Sequence, residues 1–354
     1  MTLSKLFLQQ VEVDFDNMIS LGIESTAHTF GCSVVEDKPA NNKIGKVLSD
    51  KRDIYRPPEG SGIHPREASR HHTEKSTDIL MRSLEEAKIT IKDVDIIAYS
   101  AGPGLGPCLR VGAVIARTLS TYYKKPLIPV NHALGHIELG VMLTHASDPL
   151  VLLVSGGHTM ILAFSKNKWR VFGETLDITI GQLLDQFGRS LGFASPCGDK
   201  IEQLANGSSE EYMRLPYVVK GNDVSFSGLL TYAKKLVLNK KNEFSEICYS
   251  IQETAFAMLT ETVERAISFT GKREIMIVGG VAANKRLAQM LKIACKRQNG
   301  TFFICPLHFA GDNGAQIAWT GLLYYNTLKK GVSIEESFIR QSWRIDSVDV
   351  CWRD

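Results

Sequence analysis

Residues 19–37 read ISLGIESTAHTFGCSVVED and predict an apolar strand, a tight turn and a second strand. The pattern returns at residues 149–174, which read PLVLLVSGGHTMILAFSKNKWRVFGE and predict a strand, a Gly-containing turn and two more strands. Strand–turn–helix units follow in each half, at VDIIAYSAGPGLGPCLRVGAVIARTLSTYY and at REIMIVGGVAANKRLAQMLKIACKRQ. The alternation of strands and helices favours an α/β architecture, and its recurrence suggests two related lobes.

The composition is that of a folded protein with a large core. The chain has 354 residues, of which 44% are apolar and 22% charged, and its net charge of +3 does not by itself argue for nucleic-acid binding. Seven scattered cysteines without a CxxC pair are typical of a reduced, cytosolic protein and argue against a cysteine-based zinc site. No apolar run approaches the roughly 18 residues of a membrane helix, and no signal peptide is recognisable. We therefore expect a cytoplasmic protein.

The first clear strand starts near Ile19, so residues 1–18 are expected to form an extension ahead of the fold, with Met18 as an alternative start. No Pro- or Ser-rich linker separates the halves, so we expect tightly joined lobes. The predicted division is lobe I over 19–128 plus 325–354 and lobe II over 129–324.

A pair of histidines follows the apolar strand in PLIPVNHALGHIELGVML. His132 and His136 are four residues apart at the start of a predicted helix, so both imidazoles can face one cation. The alternative is two ordinary histidines on a half-buried helix. A loop carboxylate is the natural third ligand, and Asp312 lies in AGDNGA, where glycines let the backbone approach a ligand closely. Two imidazoles and one carboxylate suit Fe²⁺ or Zn²⁺.

Two glycine turns could bind parts of a nucleotide. VSGGHT (154–159) can present backbone N–H groups to phosphate oxygens, although Gly-Gly is also common in plain hairpin turns. IVGGVAAN (277–284) ends a buried strand, and its glycines let a flat ring approach the backbone. There, Asn284 can hydrogen-bond a ribose or a base edge. By itself, this second turn could equally be structural.

Acidic residues on two predicted helices, Asp185 and Glu202, flank a loop that contains Gly198 and could accept hydrogen bonds from ribose hydroxyls. Taken singly, each could be an ordinary surface acid. GPGLGPCLRVG (102–112) lacks the GK[ST] ending of a Walker loop and the GxGxxG register, so we interpret it as a packing turn. The histidines of GIHPREASRHHTEK are expected on a helix surface; they are His64, His71 and His72.

Taken in order, eight segments of the chain closely resemble the archaeal/eukaryotic branch of the tRNA threonylcarbamoyladenosine synthases, formerly described as O-sialoglycoprotein endopeptidases. The resemblance covers about residues 20–350. The segments are GIESTAHTFG, GSGIHPREASRHH, SAGPGLGPCLRVG, NHALGHIE, VSGGHT, GETLDITIGQLLDQFGR, GGVAANKRL and FAGDNGAQIAWTG.

The resemblance implies the duplicated-lobe fold of actin, sugar kinases and Hsp70, with ribonuclease H-like lobes. It implies transfer of a threonylcarbamoyl group from threonylcarbamoyl-AMP to the exocyclic amine of the adenosine 3′ of the anticodon, in tRNAs reading codons that begin with A. One divalent metal, Fe²⁺ or alternatively Zn²⁺, would be held by His132, His136 and Asp312. Archaeal relatives work within the KEOPS assembly, beside a small kinase/ATPase and accessory subunits.

The resemblance also assigns positions to the donor. They are Leu153, Val154, Ser155, Gly156, Gly157, Asp185, Gly198, Glu202 and Asn284. Glu24 in the first hairpin faces the cleft in this fold and is the candidate catalytic residue. Many archaeal members carry Tyr as an additional metal contact where this chain has Leu153. The metal is then expected to depend more on water or substrate oxygens.

Three rival functions are weaker. A metallopeptidase of the HExxH type needs a glutamate between its histidines, and Glu138 instead follows the second one, off that face. An actin-like ATPase or kinase needs Mg²⁺, for which two histidines are poor ligands. A non-enzymatic scaffold would have no need of the predicted site residues.

Overall fold

The computed structural model describes residues 17–37, 45–209, 211–239 and 243–353. The extension predicted over 1–18 lies outside the described residues except at its last two positions. All seven cysteines are described and only Cys351 is exposed, which confirms the expectation that most of them are packing residues. Within these ranges, none of the helices combines the length and the apolarity that a bilayer span requires.

The first sheet has five strands in the order β3-β2-β1-β4-β5. β1 (Ile19–Glu24), β2 (Thr29–Asp37) and β3 (Gly45–Ile54) form an antiparallel meander. β4 (Ile96–Gly102) pairs parallel with β1, and β5 (Leu127–Asn131) pairs parallel with β4. The hairpin predicted over residues 19–37 is therefore confirmed.

The second sheet repeats this arrangement. β6 (Pro149–Val154), β7 (Thr159–Ser165) and β8 (Lys168–Glu174) form the antiparallel meander. β11 (Glu274–Val278) pairs parallel with β6, and β12 (Thr301–Ile304) pairs parallel with β11. The order β8-β7-β6-β11-β12 matches that of the first sheet, strand for strand. The two halves are thus built on one plan, as the recurring pattern suggested.

Ten helices and one short hairpin complete the described chain. The helices are α1 (Pro65–Ala87), α2 (Gly106–Tyr123), α3 (His132–Thr144), α4 (Ile180–Ser190), α5 (Gly198–Asn206), α6 (Ser227–Leu238), α7 (Phe244–Thr270), α8 (Lys285–Arg297), α9 (Leu307–Ala310) and α10 (Gly314–Leu328). The hairpin is formed by β9 (Val219–Lys220) and β10 (Asp223–Val224). Short 3-10 turns lie at Ile91–Asp93, Gly280–Ala283 and Ile345–Ser347.

Alternate residues of each strand face different helices, because side chains along a strand point to opposite sides of the sheet. In the first sheet, Ile97 and Tyr99 pack with α1 and α2, while Ile96 and Ala98 pack with α10. In the second sheet, one face packs with α4 to α8 and the other with α3. Since α3 and α10 also contact each other, they form a middle layer between the sheets.

Close backbone contact fixes α10 on the first sheet. A Cβ on Gly22 of β1 would lie 2.2 Å from the Gly314 carbonyl oxygen and 2.3 Å from the Ala318 nitrogen, so only glycine permits this approach. The predicted division at residue 324 places most of α10 in lobe II, and this division stays a prediction. The packing attaches this helix to the sheet of the first lobe.

The segment over residues 332–353 runs from one sheet to the other. The Val332 N–H donates to the Leu127 carbonyl at the first sheet, and the Val350 N–H donates to the Asn167 carbonyl beside β7. Near its end, Arg353 forms an ion pair with Glu138 of α3 at 3.0 Å. This segment therefore ties both sheets to the middle layer.

Candidate metal centre and adjoining turns

The two histidines lie on the first turns of α3, which begins directly where β5 ends. The Asn131 side chain caps the helix by accepting from the Leu134 N–H at 3.1 Å, while its amide donates to the Trp343 carbonyl at 3.1 Å. His132 and His136 then share one face, with ring centroids 4.7 Å apart. The predicted four-residue spacing therefore brings both rings together.

Asp312 reaches these rings from the loop before α10. Asn313 caps that helix by accepting from the Gln316 N–H at 2.9 Å, and its amide donates to the Gly311 carbonyl at 2.8 Å. One Asp312 carboxylate oxygen lies 3.5 Å from His132 Nε2 and 3.3 Å from His136 Nε2. The ligand atoms of all three residues lie within 4.8 Å of one another. Two helix starts from the middle layer thus converge on one point.

The donor set fits a divalent metal ion. His136 Nε2 is buried without a hydrogen-bond partner, although it faces the Asp312 carboxylate. An orphaned buried nitrogen is costly unless something binds it. Two imidazole nitrogens and one carboxylate oxygen are ligands that Fe²⁺ and Zn²⁺ accept. No other group of three such side chains was found within the described ranges.

The electrostatics keep this cluster suited to a cation. Burial opposes the ionised form of Asp312, but the two histidines outweigh it and hold the pKa of its carboxyl far below the usual range. Burial lowers the pKa of His136. Burial would also lower the pKa of His132, but the carboxylates of Glu24 and Asp312 raise it to about 9. The aspartate is therefore ionised, as a metal ligand must be, whereas His132 has to release a proton when it binds a metal.

Glu24 lies beneath His132 and is 0% exposed. One of its oxygens accepts from the Thr26 N–H at 2.6 Å, and the other lies 3.0 Å from His132 Nδ1. A carboxylate at this nitrogen favours the Nδ1–H tautomer, which leaves Nε2 free to bind a metal. The catalytic role of Glu24 stays a prediction, and its contacts favour a positioning role.

The turn over residues 153–157 closes on itself. Leu153 and Val154 are buried in β6, and the Ser155 N–H donates to the His158 carbonyl at 2.8 Å. The Gly157 N–H donates to Ser155 Oγ at 3.2 Å. Of the N–H groups of Ser155, Gly156 and Gly157, two therefore donate within the turn and are not available to a phosphate. A Cβ on Gly156 or Gly157 would meet no atom within 4 Å, so the backbone there borders open space.

Each of the two predicted donor carboxylates accepts a hydrogen bond at the start of a neighbouring helix. Asp185 of α4 accepts from the Cys197 N–H at 2.7 Å, directly before Gly198, and burial raises the pKa of its carboxyl. Glu202 of α5 accepts from the Lys285 N–H at 2.9 Å, at the start of α8. Asp185 therefore ties α4 to the start of α5, and Glu202 ties α5 to the start of α8.

Asn284 is more constrained than its predicted role requires. Its oxygen caps α8 by accepting from the Arg286 and Leu287 N–H groups at 3.0 and 3.2 Å. Its amide nitrogen donates to Gln252 at 2.7 Å. One amide hydrogen is left for a ligand.

Three residues of this region have no role in the sequence-based prediction. Thr26 Oγ1 and Gln316 Nε2 lie 3.4 and 3.1 Å from His132 Nδ1, and the His158 ring stacks on that of His132 at 6.1 Å. Burial lowers the pKa of His158 to about 3, so this ring is neutral. Gln316 lies in the first turn of α10, four residues after Asp312, and this closeness in sequence was a usable signal.

One predicted surface histidine is buried, which corrects the expectation. His72 of α1 is 0% exposed, since α1 packs its ring against Phe30 of β2 at 5.6 Å. Its Nε2 contacts the Ala27 carbonyl at 3.1 Å. Glu138 is buried as well, and it is bonded to Trp169 Nε1 and to Arg353. Its engagement agrees with the absence of a peptidase base at the histidine pair.

Two lobes of equal strand order, with a His–His–Asp cluster in the layer between them, define a two-lobed protein of the actin-like class with a candidate metal centre. The crystal structure of T. kodakarensis HypF shares this fold with a TM-score of 0.61 and 14% identity, over 88% of this chain and 48% of that one.

The family follows from sequence comparison. The sequence model of the tRNA N6-adenosine threonylcarbamoyltransferase (TsaD) family matches residues 44–319 of this chain. The tRNA N6-adenosine threonylcarbamoyltransferase of Caldivirga maquilingensis is 50% identical over 337 residues, 95% of this chain and 98% of the relative. A probable bifunctional tRNA threonylcarbamoyladenosine biosynthesis protein of Methanocaldococcus jannaschii is 48% identical over 95% of this chain and 60% of the relative. The chain belongs to the tRNA N6-adenosine threonylcarbamoyltransferase family, and it is an acyltransferase that acts on tRNA.

Proposed function

We propose that the chain transfers a threonylcarbamoyl group from threonylcarbamoyl-AMP to N6 of the adenosine 3′ of the anticodon, in tRNAs reading codons that begin with A. The observation that carries this proposal is the convergence of His132, His136 and Asp312 within 4.8 Å in the layer between the two lobes. Such a cluster suits a ligand bound where the lobes meet. Family membership supplies the acceptor and the type of reaction.

Nε2 of both histidines and the Asp312 carboxylate would hold a single divalent ion, with Fe²⁺ proposed ahead of Zn²⁺. When bound, this ion supplies a Lewis acid for the oxygens of the donor. Glu24 accepts from His132 Nδ1–H and so aims Nε2 at the ion, which takes the place of the Nε2 proton. Leu153 offers no ligand atom, so the ion would depend more on water or substrate oxygens.

The donor is a mixed anhydride whose carbonyl is already activated, so the protein has to bind it, exclude water and aim the amine. The glycine turn holds the phosphate, chiefly through backbone beside Gly156, because two other N–H groups donate within the turn. Asp185 and Glu202 accept from the ribose hydroxyls, and the free amide hydrogen of Asn284 contacts the adenosine. Gly198 lets the ligand approach the start of α5.

No side chain is proposed as the general base. Glu24 is fully buried and engaged on both oxygens, so it does not reach an incoming amine. The amine loses its proton late, to the departing phosphate or to water. The amine nitrogen bonds to the carbamoyl carbon while the bond from that carbon to the bridging oxygen breaks, so AMP leaves with that electron pair. Its phosphate charge is stabilised by the backbone beside Gly156.

The partners are tRNA and the subunits of a KEOPS assembly, in the cytoplasm. Neutralising several tRNA phosphates takes clustered Lys and Arg. A net charge of only +3 therefore supports the involvement of partner subunits in tRNA binding. Much of the grip on tRNA therefore comes from partner subunits.

The test is modification of purified tRNA with synthetic threonylcarbamoyl-AMP, with and without partner subunits. We expect His136→Ala to abolish product, because it removes one metal ligand. His145→Ala is the matched control, since His145 is exposed at the far end of the same helix. Hydrolysis of a glycoprotein without any tRNA product would favour the peptidase instead.

A further inference from the structure

Arg52 ties the first sheet to the loop that carries Asp312. Its guanidinium extends from β3, the edge strand of that sheet. Nη1 donates to the Asp312 carbonyl oxygen at 3.2 Å, and Nη2 donates to the His308 carbonyl oxygen. One side chain therefore holds both ends of the segment over 308–312.

A buried carboxylate fixes the guanidinium in this orientation. Asp50, also on β3, has a side chain that is only 3% exposed and lies 3.5 Å from Arg52 Nη2. Its other oxygen accepts from Ser33 Oγ at 2.6 Å. His308 Nε2 approaches the same carboxylate at 3.2 Å. The planar fork of an arginine can serve two carbonyls and one carboxylate at once, which a lysine cannot.

We propose that Arg52 is a positioning residue for the metal centre, acting through the backbone of Asp312. The inference rests on the proposed ligand set. His132 and His136 are placed by a regular helix, whereas Asp312 stands between the four-residue α9 and the cap of α10. Metal–oxygen bonds tolerate displacements of only about 0.2 Å. The loop needs an external anchor, and Arg52 supplies it from a rigid strand.

The role differs from that of an ordinary structural ion pair. A purely structural Arg52 would stabilise the fold without affecting the geometry at Asp312. A positioning Arg52 affects how tightly the three ligands bind an ion, even in a folded variant. Metal affinity and thermal stability therefore have to be measured on the same variants.

The experiment compares Co²⁺ binding to the purified, metal-free chain by competition with a chromophoric chelator, together with the visible spectrum of the bound ion and the melting temperature. The variants are Arg52→Lys and Arg52→Met. Arg52→Lys keeps a cation beside Asp50 and so preserves the fold if Arg52→Met does not. Lys51→Met is the matched control. Lys51 is the neighbouring cation on β3, and it forms a surface ion pair with the exposed Glu86 at 2.7 Å.

We expect Arg52→Lys to weaken Co²⁺ binding by about 10- to 100-fold and to alter the spectrum, as loss of a supporting contact around a metal ligand does. Lys51→Met should match the wild type. Affinity of folded Arg52→Lys within about threefold of wild type would overturn the inference, even if the melting temperature fell. His136→Ala separates the two proposals. If His136→Ala leaves Co²⁺ binding unchanged, the proposed ligand set is wrong, and the inference on Arg52 is wrong as well.

Discussion

Replacing Glu24 by glutamine tests how His132 is held. Both Glu24 oxygens act as acceptors, one from the Thr26 N–H at 2.6 Å and the other at His132 Nδ1, 3.0 Å away. A glutamine offers one acceptor oxygen and one NH₂ group. If its oxygen faces His132, the NH₂ group opposes the Thr26 N–H. If its oxygen faces Thr26, the NH₂ group favours the Nε2–H tautomer of His132, which cannot bind a metal.

Either arrangement of Glu24→Gln costs a buried hydrogen bond or the metal-binding tautomer. A buried group left without its partner costs about 1–3 kcal/mol. Since about 1.4 kcal/mol corresponds to a factor of ten, we expect metal affinity to fall by about 10- to 100-fold. The assay is a competitive titration with Zn²⁺ or Co²⁺ on purified protein.

Glu36→Gln is the matched control for this change. Glu36 lies on the neighbouring strand β2, and it accepts from the exposed Asn17 side chain at 2.9 Å. The control should bind metal as the wild type does. The positioning role of Glu24 is refuted if Glu24→Gln binds metal within about threefold of wild type. Loss of tRNA modification alongside that unchanged affinity would instead make Glu24 a catalytic residue.

Three further changes test other parts of the structure. Gly181→Ala should weaken binding of AMP about tenfold by calorimetry, because its Cβ would lie 2.6 Å from the Ser155 carbonyl and overpacking costs about 1–3 kcal/mol. Burial lowers the pKa of His72 to about 4, so the neutral ring contributes stability that is present above about pH 6.5 and lost as the pH falls toward 4. A glutamine at position 72 has no group that is protonated in this pH range. Scanning calorimetry from pH 7 to 4.5 should therefore show that the free energy of unfolding of His72→Gln falls by up to about 3 kcal/mol less than that of the wild type. Asn284→Ala should lower the free energy of unfolding by about 1 kcal/mol in denaturant titrations, because α8 loses its cap.

Local features of the fold were predictable from the sequence. The strand–turn–strand patterns of both halves and the helix that follows Asn131 depend on neighbours along the chain, and all of them are present. The spacing of His132 and His136 fixes their shared face in the same local way. Asp312 is distant from the histidines in sequence. Its position beside them was expected for two reasons: a loop carboxylate is a natural third ligand, and the family resemblance assigns this residue to the metal.

The features that were missed depend on packing between distant elements. The sequence around His72 is polar enough for a helix surface, and only the docking of α1 on β2 buries that ring. The side-chain oxygen of Asn284 looks free in the sequence but is occupied by the cap of α8. Arg52 is one charged residue among several on β3, and nothing near it in sequence indicates that it meets the Asp312 carbonyl.

The candidate metal centre owes its geometry to the way α3 and α10 are joined to the first sheet. α3 continues directly from β5, and the Gly22–Gly314 contact holds the start of α10 against β1. Glu24 ends that same strand β1, so it is placed beneath His132 by the packing that also brings Asp312 into reach. The second sheet contributes the glycine turn at the end of β6, which packs on the opposite side of α3. The histidine pair and the glycine turn thus pack on one helix, and we predict that a change that shifts α3 alters metal and donor binding together.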